Sequence, residues 1–118
     1  MMRISLVVGA TLCTVATAFA ADPVGTYELS GHSPGGADYG GIVTVKATKQ
    51  TYSVVWAFPR FNLTYTGTGV LSGNSLAVYY SSGSSGGVML YEADGDNWKG
   101  IWARADDDTL GTEVWKRK

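Results

Sequence analysis

Five aromatic residues, Tyr39, Trp56, Tyr65, Tyr80 and Trp102, stand in runs where apolar and polar residues alternate. Rings gathered on one side of such runs would bind a small apolar or aromatic molecule by burial and edge-to-face contact. His32 and Arg60, in polar segments at the ends of such runs, would supply polar groups at the lip of that space. The stretch Phe58-Pro59-Arg60-Phe61 admits a second chemistry, because exposed aromatics beside an Arg are typical anchors of protein interfaces. Phe58, Arg60 and Phe61 are therefore candidates for contact with a protein partner, and Arg60 serves both readings.

Other reactive groups offer less. His32 is the single His of the chain, so a multi-histidine metal site is excluded, and it has no sequence-evident nucleophile or base partner. Asp94-Gly95-Asp96-Asn97 reads as a hairpin turn and lacks the later ligands of a calcium loop. Three adjacent carboxylates at Asp106, Asp107 and Asp108 point in different directions, whereas calcium takes six or more oxygens. No metal, no cofactor and no enzymatic activity are expected. Glu113, in GTEVW, shares a face with Gly111 and Trp115. Facing inward it would be a carboxylate among rings; the outward orientation is preferred here, because a buried Glu is rare without a partner.

The elements that must position these groups are strands. Runs rich in Val, Tyr, Trp and Thr near residues 25–31, 39–46, 50–58, 62–71, 75–81, 87–92, 97–104 and 109–117 alternate with period two, and Gly, Asn, Asp and Ser interrupt them. No helix of useful length is evident. Short connections favour an antiparallel up-and-down meander, and eight strands that would leave two open edges can close into a small barrel. A two-sheet sandwich is the alternative. Lys46 and Lys99 are assigned outward, which places Tyr39, Val43 and Val45, and Trp98 and Trp102, inside. The same alternation turns in Tyr27, Leu29, Tyr52, Val54, Trp56, Leu76, Val78 and Tyr80. An eight-stranded barrel is only just wide enough for side chains or one small ligand, so a filled core and a small pocket both fit.

Gly67 and Gly69 leave two gaps on one face of the fourth strand, which fits a bend beneath large rings, with Trp56 and Tyr80 the nearest; Gly100 repeats the pattern between Trp98 and Trp102. In a meander the connections alternate between two rims. One rim takes the tight turns ATK, SGN and DGD; the other takes HSPGGAD, PRF, SSGSSGG and ADDD, and is the candidate mouth.

Residues 1–20 stand apart. A basic Arg3, an apolar run from Ile4 and the small-x-small site Ala18-Phe19-Ala20 have the form of a secretory signal, to be cleaved before Ala21. Residues 21–118 then form one domain of an exported protein, periplasmic or secreted, with no stable membrane insertion after cleavage. The single Cys13 leaves with the signal, so no disulfide supports the domain. Loss of Arg3 leaves 8 basic against 10 acidic residues and no basic cluster beyond the tail WKRK, which argues against nucleic acid as a partner.

The succession GTYELSGHSPGGADYGGIVTV, YSVVW, TGTGVLSGNSLAVYY, GVMLYEADGDNWKGIW and GTEVW resembles a family of small exported bacterial proteins, some of which carry a fibronectin-binding label. Gly25-Thr26-Tyr27 at the head and Arg117 at the tail are more distantly similar to the lipocalin and avidin barrels. In that group a Gly-x-Trp opens the first strand and a basic residue of the last strand packs near it; here Tyr27 replaces the Trp. The resemblance implies a lipocalin/avidin-like barrel and an exported, non-enzymatic binding protein. It leaves two expectations, a small apolar or aromatic ligand at the open rim, or a filled core that meets an envelope or extracellular macromolecule through loops or outer face.

Overall fold

The computed structural model describes residues 21–118; the signal assigned to residues 1–20 lies outside them. The alternating runs form eight strands: β1 (Gly25–His32), β2 (Asp38–Thr48), β3 (Thr51–Phe58), β4 (Leu63–Ser72), β5 (Ser75–Ser82), β6 (Ser85–Asp94), β7 (Asn97–Arg104) and β8 (Gly111–Arg117). Each pairs antiparallel with the next, and β8 pairs with β1, so the sheet closes as an up-and-down barrel without free edges. The meander expectation holds and the sandwich alternative falls.

Period two decides the interior. Tyr27, Val43, Val45, Val54, Trp56, Leu76, Val78, Tyr91, Trp98, Trp102 and Trp115 are buried, while their neighbours Glu28, Lys46 and Lys99 face water. Glu113 follows the same alternation and is buried, only 3 % exposed, which overturns its outward assignment. The pleat turns it inward with Gly111 and Trp115, and the partners that make burial tolerable come from strands remote in sequence.

Strand glycines seat the rings. A Cβ added at Gly31 would fall 2.5 Å from the Tyr39 ring, at Gly111 2.5 Å from the Trp102 ring, and at Gly87 2.6 Å from the Tyr80 ring. In register these are direct cross-strand pairs: Gly31 with Tyr39, Gly87 with Tyr80, Gly111 with Trp102. Gly67 lies under Trp56, two of whose atoms are 3.0 Å from the Cβ position, and Gly100 makes room for Tyr91. Gly69 departs from the expectation, since Leu76 and Val78 rather than a ring lie over it.

The two ends differ. One carries only two-residue turns, whose first residues, Lys49, Gly73 and Gly95, have φ of 55°, 60° and 63°. At that end Tyr27 stacks on Trp115, with centroids 5.4 Å apart, and Trp115 stacks on Tyr91 at 4.1 Å. Arg117 lies over the Tyr27 ring at 4.8 Å and donates to the carbonyls of Asp22, Val24 and Asp96. The head-to-tail packing expected of Tyr27 and Arg117 is thus present. The other end carries residues 33–37, a 3₁₀ turn at Pro59–Phe61 and residues 105–110. Its fourth connection corrects the sequence reading: most of SSGSSGG belongs to β5 and β6, and Gly83 (φ 61°) opens another two-residue turn.

Candidate ligand-binding site

At the long-loop end the barrel is not filled. A cavity of about 310 Å³ opens there, lined by side chains from seven of the eight strands. Its wall is a chain of rings. Trp102 meets Tyr39 edge-on at 6.2 Å between centroids, Tyr39 meets Phe58 at 5.9 Å, Phe58 meets Tyr65 at 5.8 Å, Tyr65 meets Tyr80 at 5.8 Å, and Tyr80 meets Trp56 at 6.0 Å. Met89 completes the apolar wall, and Phe61, Leu63, Asp38 and Arg104 stand at the lip.

Glu113 lies at the inner end. Along β8 it comes two residues after Gly111, which pairs with Trp102, and two before Trp115, whose ring lies in the closed part of the core. Three donors hold its carboxylate: Tyr91 Oη at 2.7 Å and Trp115 Nε1 at 3.0 Å donate to Oε1, and Tyr39 Oη at 2.7 Å donates to Oε2. Burial outweighs these donors and pushes the Glu113 carboxyl above the usual Glu range. Burial and the nearby carboxylate in turn hold the Tyr39 and Tyr91 phenols well above the usual Tyr range, so both remain donors. The indole N–H groups of Trp56 and Trp102 are buried in the wall without a hydrogen-bond partner. The cavity therefore presents aromatic rings and one carboxylate at its floor.

Among solved structures this architecture has clear parallels. A de novo designed fluorescence-activating β-barrel aligns with a TM-score of 0.61 at 16% identity, covering 80% of this chain and 93% of its own. A redesigned β-barrel aligns with a TM-score of 0.64 at 13% identity, covering 80% and 91%. A REP1-NXSQ fatty acid transporter aligns with a TM-score of 0.54 at 12% identity, covering 80% and 95%. At such identities the likeness is one of fold. No family model and no curated protein matches the chain.

Of the residues assigned to a ligand site from sequence, Tyr39, Trp56, Tyr65, Tyr80 and Trp102 all line this one cavity. His32 and Arg60 do not. His32 is exposed at the end of β1, with Nδ1 against Asp38 Oδ1, and Arg60 is exposed on the 3₁₀ turn. The basic group at the lip is instead Arg104, whose guanidinium lies 5.2 Å from the Trp102 ring and 3.8 Å from Asp107. Phe58, placed in an exposed partner patch with Arg60 and Phe61, is buried and belongs to the ring wall; Phe61 remains 59% exposed. Period two explains the difference, because Phe58 continues the inward set of Val54 and Trp56. Glu113, Arg104 and Met89, together with Asp38 and Leu63 at the lip, are among the lining residues that sequence reasoning did not assign. For Glu113 the signal was present, in the face it shares with Gly111 and Trp115.

Proposed function

We propose that this is an exported, non-enzymatic barrel that holds a small apolar or aromatic ligand in the cavity at its long-loop end. One observation carries the reading: the rings leave about 310 Å³ open, near the lower end of the roughly 300–1,000 Å³ typical of small-molecule sites. A filled core would have closed that space. Two of the similar barrels are named for activating fluorescence and for transporting fatty acids, which agrees with a fold whose open end takes small molecules. Binding rather than turnover suits the floor, where the one buried carboxyl among the described residues is already held by three donors. Export is inferred from residues 1–20.

A second reading, contact with a macromolecule through the outer face or loops, is favoured by the exposed row Val70, Leu90 and Ile101, which Ala77 joins in register, and by Phe61 at the lip. Native mass spectrometry of the protein recovered from the cell envelope or medium, followed by titration with the neutral fluorophore N-phenyl-1-naphthylamine, separates the two. A chain beginning at about Ala21 that takes up one probe per barrel is the expected result. A folded barrel that takes up no probe would exclude the cavity as a ligand site, and a cytoplasmic chain retaining Met1 would exclude export.

A further inference from the structure

Glu113 is a buried carboxylate without a cation. The ion pairs among the described residues, His32 with Asp38 and Arg104 with Asp107, both lie at the rim, and the groups against Glu113 are neutral donors. Tyr39 reaches it from β2, Tyr91 from β6 and Trp115 from β8, the Trp56 indole lies near it on β3, and Tyr80 on β5 is close enough for its phenol to feel the carboxylate's charge. Buried charges are ordinarily paired, and three neutral hydrogen bonds hold this carboxylate without cancelling its charge. Above it stand Tyr39, Trp56, Phe58, Tyr65, Tyr80 and Trp102. An aromatic ring attracts an organic cation that lies over its face, so a wall of rings can take a cation where it has no cationic group to offer an anion.

Resting on the reading that the cavity takes a ligand, we propose that the ligand is a small organic amine, its ammonium group facing Glu113 and its apolar or aromatic body filling the ring wall. The ammonium supplies the counter-ion that the barrel lacks. An anionic ligand could meet Arg104 at the lip, but its charge would leave Glu113 uncompensated, and Arg104 already contacts Trp102 and Asp107. The cavity suits a body of one or two rings or a short alkyl chain. A protonated Glu113 must release its proton to pair with an ammonium, and burial favours the protonated form, so amine affinity rises with pH until the carboxyl is ionised.

Two matched series test this on residues 21–118: tryptamine, tryptophol and indole-3-acetate, and octylamine, 1-octanol and octanoate, followed by intrinsic tryptophan fluorescence and calorimetry from pH 5 to 8. The expected result is an amine bound at least tenfold tighter than its alcohol at pH 8 in one series or both. The margin shrinks toward pH 5, and the acids bind most weakly. In Glu113→Gln, checked for fold by circular dichroism, the amine preference disappears while alcohol binding persists. Equal binding within each series, a preference for the acids, an amine preference that survives Glu113→Gln, or no amine binding while N-phenyl-1-naphthylamine still binds would each overturn the cation inference and leave the cavity reading standing. Failure of every probe, the naphthylamine included, would remove the cavity reading and this inference with it.

Discussion

Glu113 sets a pH dependence on the fold. An unfolded Glu titrates near pH 4.3, and burial raises the folded value above that. Below about pH 4 both states carry the proton. As pH rises, the unfolded chain releases it first, the folded state binds more protons, and stability falls until the folded carboxyl also ionises; above that the loss is constant. Asp107 acts in the opposite sense, because Thr109 donors lower its value, so the useful quantity is a difference between chains. Urea midpoints of wild type and Glu113→Gln between pH 4 and 8 should diverge as pH rises from 4, with the wild type losing relative stability, until the folded carboxyl is ionised and the gap becomes constant. Parallel curves would contradict a raised Glu113. The ring wall was legible because each residue obeyed the alternation of its own strand. The carboxylate was not, because its orientation was judged by the cost of burial. Tyr39 lies 74 residues away in sequence and Tyr91 22 away, and no local pattern announces such donors.

At the level of elements, glycine and aromatic residues act as pairs. Gly67 is open to Trp56, and a Cβ there would also fall 2.6 Å from the backbone carbonyl of Tyr79, an obstacle that cannot rotate away. Gly67→Val should therefore cost about 1–3 kcal/mol through overpacking. Thr66→Val, on the exposed face of β4, should change stability by no more than about 0.5 kcal/mol. Equal denaturant midpoints for the two variants would show that strand β4 does not seat Trp56 as described. The strands were readable because period two is a local property, and two of the tight turns because Gly73 and Gly95 mark them; the β2–β3 turn falls at Lys49-Gln50, reaching one residue beyond ATK, with Lys49 taking the positive φ. The SSGSSGG segment misled for a related reason: Ser and Gly resemble loop residues by composition, yet Gly86 and Gly87 are buried beside Tyr79 and Tyr80, and their small size is what the neighbouring rings require. Phe58 was misassigned because Pro59-Arg60 drew it into an exposed motif, although its own strand periodicity points inward.

For the whole molecule, closure is the decisive feature, and Arg117 fastens it. Its guanidinium ties the last strand to the segment before β1 and to the β6–β7 turn, and it covers Tyr27. Arg117→Ala should lower stability by about 1–2 kcal/mol, seen as a thermal midpoint several degrees lower. Arg117→Lys should fall between, since an ammonium keeps the charge but not the fork of donors. An unchanged midpoint in Arg117→Ala would deny it that role. Closure also places the chain's extremities. β1 starts and β8 finishes at the sealed end, where the Lys118 N–H donates to the Thr26 carbonyl at 3.0 Å. The barrel is thus a cup whose two handles are both fixed to its base. A barrel immobilised through a tether at Lys118 therefore turns its sealed end to the support and its open end away from it.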